Sequence, residues 1–341
     1  MIDVAIIGAG PAGSFCAFKL AQQGICPILF DYSHPREKPC GGMVFDFMFD
    51  LFPILKNLPI RFFQSNSMRV ISPSGITMTN QLRNGRYVCF SRLSFDQALL
   101  NTALAEGAKL IKEKVIGLER VQGYWRIKTQ NQCYSAKTLV GADGVNSLVR
   151  RHTVLPLNKK DKGICFGYFM SGLEKEVITT KFLRACKGYM WLIPRKENAS
   201  VGGGISDIRF FHEVKRQIEA FTEKYCSRGQ KIAQWTALIP NIKDVRTLYI
   251  PVSGRNWVLI GDAAGHVNPI NGSGIIYAMY DGQLASEAIV KGRPEQFYML
   301  WYETYGRDMF MDVKLRGWIY KRPILELYCM YMKTQSVVPF I

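Results

Sequence analysis

Six consecutive residues near the start of the chain, Gly8-Ala9-Gly10-Pro11-Ala12-Gly13, have the types and spacing needed to hold a phosphate. Gly8 permits a tight turn, and Gly10 lacks the side chain that would keep the backbone away from a pyrophosphate. Gly13 lets a helix lie close to the preceding strand. Asp31 stands 18 residues beyond Gly13 and suits a carboxylate that bonds a ribose hydroxyl. The motif alone does not separate NAD from FAD. Other candidate positions follow along the chain. Cys40 precedes the pair Gly41-Gly42, where the backbone can pass close to something flat or bulky. Arg92 is either an anion or ribose contact or a surface arginine. Asp143 lies on a glycine turn, and Tyr189 and Trp191 are two residues apart. Gly261-Asp262 and Gly272-Ser273-Gly274 flank a third turn.

These residues need particular elements to position them. Val4 to Ile7 form a buried-type strand, and the segment after Gly13 carries Phe15, Phe18 and Leu20 at helical spacing until Gly24. A second apolar run, Ile25 to Phe30, ends at Asp31. The helix N-terminus would offer unpaired N–H groups and a partial positive charge to an anion. Leu139 and Val140 form a strand leading into Gly141-Ala142-Asp143-Gly144, and a helix begins near Ser147 and Arg150. Val258 to Ile260 repeat the arrangement before Gly261, with a helix from about Gly274 to Val290. Strand ends of this kind are where open α/β sheets place ligands.

Between these crossings, a hairpin is expected over residues 67–80 around Ser72-Pro73-Ser74-Gly75, and a short strand over Tyr87–Phe90. Ser94 is a plausible N-cap for a helix that ends at Gly107. Alternating strands fill 114–139. From 151 to 245 the runs Ile164–Met170, Met190–Ile193 and Ser200–Ile205 suggest an antiparallel sheet, with a helix over Phe211–Tyr225. Tyr189 and Trp191 then share one strand face, as the wall of an apolar cavity or as ordinary core aromatics. The last 45 residues are helical in pattern, with "RGWIYKRPILELYCMYMKTQ" forming either an interfacial helix pair or a closing helix on the body.

The bulk properties narrow the class. A chain of 341 residues suits two packed domains. Lys and Arg outnumber Asp and Glu 44 to 27, and the net charge of +17 favours an anionic membrane surface, a phosphorylated substrate or an acidic protein. A nucleic-acid reader motif and a dense basic tract are both missing from the sequence, which argues against nucleic acid. The nine cysteines are scattered, without metal spacing, so neither a metal nor a disulfide framework is expected. A cytoplasmic location follows from that pattern and from the lack of signal-peptide character, with any membrane attachment peripheral.

Taken together, "GAGPAG" with Asp31, "GADGVNSLVR" and "LIGDAAGHVNPINGSGI" resemble the FAD-binding motifs of para-hydroxybenzoate-hydroxylase-like flavoproteins, from about residue 4 to 290. "KPCGG" (38–42) and "GYMWLIP" (188–194) narrow the resemblance to the geranylgeranyl reductase family, FAD enzymes that saturate isoprenoid double bonds. The resemblance implies an α/β fold. A discontinuous Rossmann-like FAD domain would take 1–60, 91–150 and 246–295, and a substrate domain with a mixed or antiparallel sheet would take 61–90 and 151–245. A helical region would follow over 296–341. It assigns Gly8, Gly10, Pro11, Ala12 and Gly13 to the pyrophosphate, Asp31 to the adenosine ribose, and Arg92 and Asp143 to FAD and its nucleotide loop. Gly261 and Asp262 would meet the ribityl and pyrophosphate region. Gly272, Ser273 and Gly274 would meet the pyrimidine edge of the flavin, where a helix N-terminus stabilises negative charge. Cys40, Gly41 and Gly42 would lie beside the isoalloxazine, with Cys40 a candidate proton donor, and Tyr189 and Trp191 would line the isoprenoid cavity.

The sequence departs from the family pattern at Ile193-Pro194, where Phe usually precedes the proline, and "WLIP" is also similar to the motif of flavin-dependent halogenases. Three classes therefore stand: an isoprenoid reductase, a monooxygenase or halogenase, and a flavoprotein that passes electrons to a quinone. The external donor would be NAD(P)H or an acidic carrier such as ferredoxin.

Overall fold

The computed structural model describes residues 1–173, 175–184 and 186–334; residues 335–341, the end of the expected C-terminal helical region, lie outside the described residues. The chain forms two compact units. The first comprises Met1–Arg36, Asp96–Lys162 and Pro240–Lys314; the second comprises Glu37–Phe95, Gly163–Ile239 and the chain from Leu315 onward. Cys40, Gly41, Gly42 and Arg92 thus belong to the second unit.

The first unit is α/β. Strands Trp257–Leu259, Cys133–Gly141, Ile2–Ile7, Ile28–Phe30 and Lys109–Ile111 lie side by side in that order, all parallel. The antiparallel hairpin of Val115–Val121 and Tyr124–Thr129 extends from Cys133–Gly141. Parallel strands need covering on both faces, which explains the continuous burial of Val4 to Ile7. Helix Pro11–Ala21 is buried at nine of its eleven positions. It packs against Ile275–Val290 to backbone contact, since a Cβ on Gly282 would lie 2.9 Å from both the Ala12 carbonyl oxygen and the Cys16 nitrogen.

The second unit is a mixed sheet flanked by helices. Its strand order is Gln230–Pro240, Lys162–Ser171, Ala199–Ile205, Gly188–Pro194, Thr179–Phe182, Ser67–Ile71 and Thr77–Gln81. The three strands expected between 164 and 205 pair antiparallel, and the 67–80 hairpin forms. Glycines hollow the sheet: a Cβ on Gly167 or Gly202 would meet the Trp235 indole at 2.5 and 2.8 Å. Helix Phe211–Tyr225 buries Val214, Ile218 and Phe221 on one side of this core. Cys329, on helix Arg322–Thr334, packs on Val70 and Met78. A small antiparallel sheet of Met43–Phe45, Tyr87–Cys89 and Phe63–Ser65 completes the unit.

One expectation is corrected. The helix assigned an N-cap at Ser94 runs over Arg92–Ala105, because its start is capped from elsewhere. Glu37 accepts from the backbone N–H of Arg92 at 3.1 Å and of Leu93 at 3.4 Å, and Ser91 Oγ accepts from Ser94 N–H. Arg92 is therefore the first helical residue and is buried, which removes the surface-arginine alternative.

Replacing Gly282 with Val should separate the two packed helices and cost about 1–3 kcal/mol. Thermal unfolding would show this as a lower midpoint, while unchanged stability would mean that the helix pair can spread without loss.

Candidate flavin and substrate site

In the first unit the three glycine motifs converge. A Cβ on Gly8, whose φ is +104°, would lie 2.3 Å from the Ala142 carbonyl oxygen, so the first turn presses on the middle motif. A Cβ on Gly13 would lie 2.0 Å from the Gly8 carbonyl oxygen, which enforces the close helix approach. Gly261 brings the late motif against the first, its Cβ position 3.1 Å from Ala12 Cβ. The buried Arg150 guanidinium closes the triangle by donating to the carbonyls of Ala263 and Ala264 at 3.2 and 3.0 Å.

The convergence presents unpaired backbone donors. Pro11 opens the first helix after Gly10, which provides no side-chain cap. Among the described residues, the N–H groups of Ala12 and Gly13 have no acceptor in the chain. The late helix likewise starts at Gly274 without a side-chain cap, leaving the N–H groups of Ile275 and Ile276 without an acceptor. Asp262 sits beside this second N-terminus, one carboxylate oxygen 3.7 Å from the Gly274 Cβ position. The turn 268–274 is shaped by Asn268, whose side-chain oxygen accepts from the N–H groups of Ile270 and Asn271, while Asn271 accepts from Ser273 N–H. Gly272 closes it with φ +70°. Two uncapped helix N-termini beside glycine turns fit a group carrying a pyrophosphate and an anionic ring edge.

The acids of the motifs are held by the chain itself. Asp31 accepts from the backbone N–H groups of Ala9, Ser33 and His34 and from His34 Nδ1 at 2.8 Å. Burial alone would raise the Asp31 pKa, but the His34 contact and these backbone bonds hold it well below the usual carboxylate range. His34 is raised in turn: burial lowers it, and Asp31 and Asp96 more than compensate. Its Nε2 lies 3.6 Å from the Asp96 carboxylate and 3.6 Å from the Gly10 Cβ position, directly under the phosphate turn. Asp143 accepts from Ser147 Oγ and from the N–H groups of Leu148 and Val149, so it caps helix Leu148–Thr153 while standing on the turn that meets Gly8. Burial pushes its pKa up despite those bonds.

Sequence reasoning missed a second anchor of the late motif. Asp281, wholly buried on helix Ile275–Val290, accepts from Gly261 N–H at 2.7 Å and His266 Nδ1 at 2.8 Å, and Tyr305 donates to its other oxygen. Burial, then Asp281, push the Tyr305 pKa well up. His266 stacks on Trp301 at 4.4 Å. The available signal was a charge ending the uncharged first part of the helix, because a charge on a buried stretch needs partners.

In the second unit the residues of "KPCGG" meet those of "GYMWLIP". A Cβ on Gly41 would lie 2.7 Å from Ile193 Cδ1, and Gly42, with φ +67°, would clash with the Phe90 carbonyl at 2.2 Å. The Cys40 carbonyl accepts from Arg195 at 2.6 Å and from Ser200 Oγ at 2.9 Å; Ser200 accepts from the Trp191 indole N–H at 3.0 Å. Cys40 Sγ receives the Gly42 N–H at 3.3 Å. Arg195 has no exposed side-chain surface; it pairs with Glu37 at 2.8 Å and also donates to the Gly41 carbonyl. Glu37, Arg195 and Ser200 were not anticipated, since the ion pair joins residues 158 apart in sequence. Trp191 stacks on Trp235 at 6.1 Å and meets Tyr189 at 5.8 Å. Burial raises the Tyr189 hydroxyl pKa, with Tyr320, Cys165 and Cys40 adding to the shift. A separate cleft of about 400 Å³ in the first unit, lined by Arg150, Lys160, Lys243 and Thr247, contains none of the anticipated flavin or substrate residues.

The chain is 30% identical to digeranylgeranylglycerophospholipid reductase of Methanosarcina acetivorans, over 92% of this chain and 84% of that protein. It belongs to the geranylgeranyl reductase family. Geranylgeranyl diphosphate reductase of Rhodobacter capsulatus is 29% identical, over 84% of this chain and 74% of its own length. No family model matches the chain. A geranylgeranyl bacteriochlorophyll reductase-like protein from Thermoplasma acidophilum has the same fold, with TM-score 0.83 at 22% identity over 98% of this chain and 92% of that one. A flavin-dependent brominase shares it at TM-score 0.72 and 20% identity, over 98% and 90%. The expected α/β flavoprotein fold is borne out. As a member of this family the chain is a flavin-dependent reductase. Among the described residues, no helix is long and apolar enough to cross a membrane.

Two predictions follow from the charged anchors. Arg195→Met strands Glu37 and should destabilise the protein by about 3 kcal/mol, partly restored in Glu37→Gln/Arg195→Met; a strictly additive double variant, by calorimetry, would exclude the coupling. For pH, Asp31 has a lowered folded pKa, so its contribution is present above its unfolded value of about 4 and fades as pH falls further. His34 has a raised folded pKa, so its contribution is complete below about 6.5 and is lost as pH rises through the folded value. The thermal midpoint of wild type should therefore fall on the alkaline side more steeply than that of His34→Asn, and parallel pH profiles would refute this.

Proposed function

We propose that the protein saturates carbon–carbon double bonds of an isoprenoid chain, using FAD as its flavin. The observation that carries the reading is the tethering of the Cys40–Gly42 loop to Arg195, just past strand Gly188–Pro194, and to Ser200 on strand Ala199–Ile205, beside a cluster of aromatic side chains. Saturating such a bond takes a hydride on one carbon and a proton on the other. Bound reduced FAD would supply the hydride. The residues that would hold it are Gly8, Gly10, Gly13 and the first helix N-terminus for the pyrophosphate, and Asp31 for the adenosine ribose. Arg92 would contact the nucleotide, and Asp262 with Gly272 to Gly274 would serve the ribityl and ring end. Both uncapped N-termini carry partial positive charge, which would suit the anionic pyrophosphate and ring edge of such a group.

The chain's own contribution to the chemistry is the proton and the dry surface. Cys40 is the proposed proton donor, at Sγ, and its backbone is fixed by Arg195 and Ser200. Tyr189, Trp191, Phe169 and Trp235 pack in one largely buried cluster, and it is this cluster that would form the apolar wall along an isoprenoid. NAD(P)H or an acidic carrier protein would re-reduce the flavin, and the net charge of +17 supports the carrier.

The test is anaerobic. Protein reduced with dithionite and freed of excess reductant is mixed with a geranylgeranyl lipid, and flavin absorbance and product mass are followed. Reoxidation with a product heavier by pairs of hydrogens is expected. A flavin that stays reduced until oxygen or a quinone is admitted would overturn the reading for that lipid and favour oxygen or electron-transfer chemistry. Cys40→Ala should slow the reoxidation by about 10²–10⁴-fold while leaving bound flavin unchanged; an unaltered rate would remove Cys40 from the proton path.

A further inference from the structure

Helix Arg322–Thr334 packs only one side on the second unit: Leu325 and Cys329 are buried against it. Its other side carries Leu327, Tyr328, Met330 and Tyr331, and the preceding helix Arg307–Ile319 adds Leu315 and Trp318. These six side chains are between 43% (Leu315) and 65% (Leu327) exposed. Two successive helices thus present large apolar and aromatic groups to solvent, where a polar face is the norm.

The surrounding charge is one-sided. Lys321 and Arg322 lie between the two helices, and Lys187 Nζ is 3.7 Å from the Cβ position of Gly317. Glu326 is the one acid in the sequence from Leu315 to Tyr331, and it is already engaged: it accepts from the Ser74 N–H and hydroxyl, each at 2.7 Å, and one of its oxygens lies 3.9 Å from Arg322 Nε, which leaves the patch net basic. Trp and Tyr beside Lys and Arg, on a helix with an apolar outer face, match the interfacial zone of a bilayer. A second copy of the chain fits poorly, because a two-fold interface uses the same patch on both copies and would gather two sets of Lys187, Lys321 and Arg322 in one contact.

We infer that Leu315–Tyr331 is a docking surface for an anionic lipid membrane, with Trp318, Leu327 and Tyr331 entering the interface and Lys187, Lys321 and Arg322 meeting the headgroups. The inference rests on the reading that the substrate is an isoprenoid chain presented by a lipid, and it gives that reading a route from bilayer to enzyme.

A spectroscopic test needs no substitution. Five of the six tryptophans are at most 9% exposed and Trp318 is 57% exposed, so intrinsic quenching by an outside agent reports Trp318. The holoprotein should float with vesicles of phosphatidylcholine and phosphatidylglycerol, should stay behind with pure phosphatidylcholine, and should be released by high salt. Acyl-chain-brominated lipid should quench its fluorescence. Lys321→Glu/Arg322→Glu should weaken partitioning by about tenfold or more, and Leu327→Ser/Tyr331→Ser should lose flotation while reducing detergent-dispersed substrate at the wild-type rate. Absence of flotation, flotation without quenching, or a variant pair that floats like wild type would overturn the surface. So would a concentration-dependent dimer, seen by light scattering and broken by Leu327→Ser/Tyr331→Ser, which would assign the face to a second copy. Flotation and quenching need no turnover, so a protein that docks and reduces no isoprenoid would keep this surface and lose the reductase reading.

Discussion

The Arg195–Glu37 ion pair is the interaction on which the second unit's site depends. A guanidinium with no exposed surface is costly to desolvate, and one carboxylate rarely compensates for that cost alone. Here the remaining donors are spent on the Cys40 and Gly41 carbonyls, and the ring of Phe169 lies 5.4 Å from the guanidinium carbon. Glu37 uses its other lone pairs on Ser91 and on the first N–H groups of helix Arg92–Ala105. One buried pair therefore fixes three things together: the loop carrying Cys40, the strand carrying Trp191, and the start of the helix carrying Arg92. Lysine in place of Arg195 would keep the charge and lose the planar fork that reaches the carboxylate and two carbonyls at once.

The first unit solves a related problem with the opposite charge. Asp281 is buried in the helix that follows the late motif, and all its partners belong to, or pack on, the loop that motif forms. Because Gly261 has φ +59° and no side chain of its own, a bond to its N–H is the available way to fix that turn from below. The late helix can then leave its first N–H groups unpaired, since the loop is held by Asp281 from the side rather than by a cap at the end. A capped N-terminus would hold the loop equally well and would have no donors left for an anion.

How much of this was legible in the sequence depends on how local the constraint is. Gly8, Gly13 and Gly261 could be read because a turn or a close approach excludes every other residue type, and the observed Cβ positions show why. The helix Arg92–Ala105 starts three residues before the position that an N-cap at Ser94 implies, because its first N–H groups are met by Glu37, over fifty residues earlier, and by Ser91, whereas Ser94 offered an alternative that the chain does not use. Arg195 and Ser200 looked like ordinary strand-end and strand residues. Their roles exist only once the Cys40 loop is laid on the sheet, which no local pattern encodes.

The same distinction bears on why one fold carries both reductases and a brominase. A phosphate and an anionic ring edge are recognised by backbone donors, and backbone donors survive any change of side chain that keeps the glycines. In the aromatic wall Trp191 is fixed by its bond to Ser200, whereas Trp235 is held by packing and rests on Gly167 and Gly202 with no partner for its indole N–H. Packing tolerates substitution so long as volume is kept. Ile193, where the resemblance leads to an expectation of phenylalanine, is a position of this kind: its Cδ1 fills the space over Gly41, and a larger ring there would have to displace the Cys40 loop or turn away from it. The glycine motifs are thus constrained to a few residue types, and under the proposed reading the aromatic cluster is where the identity of the alkene would be chosen.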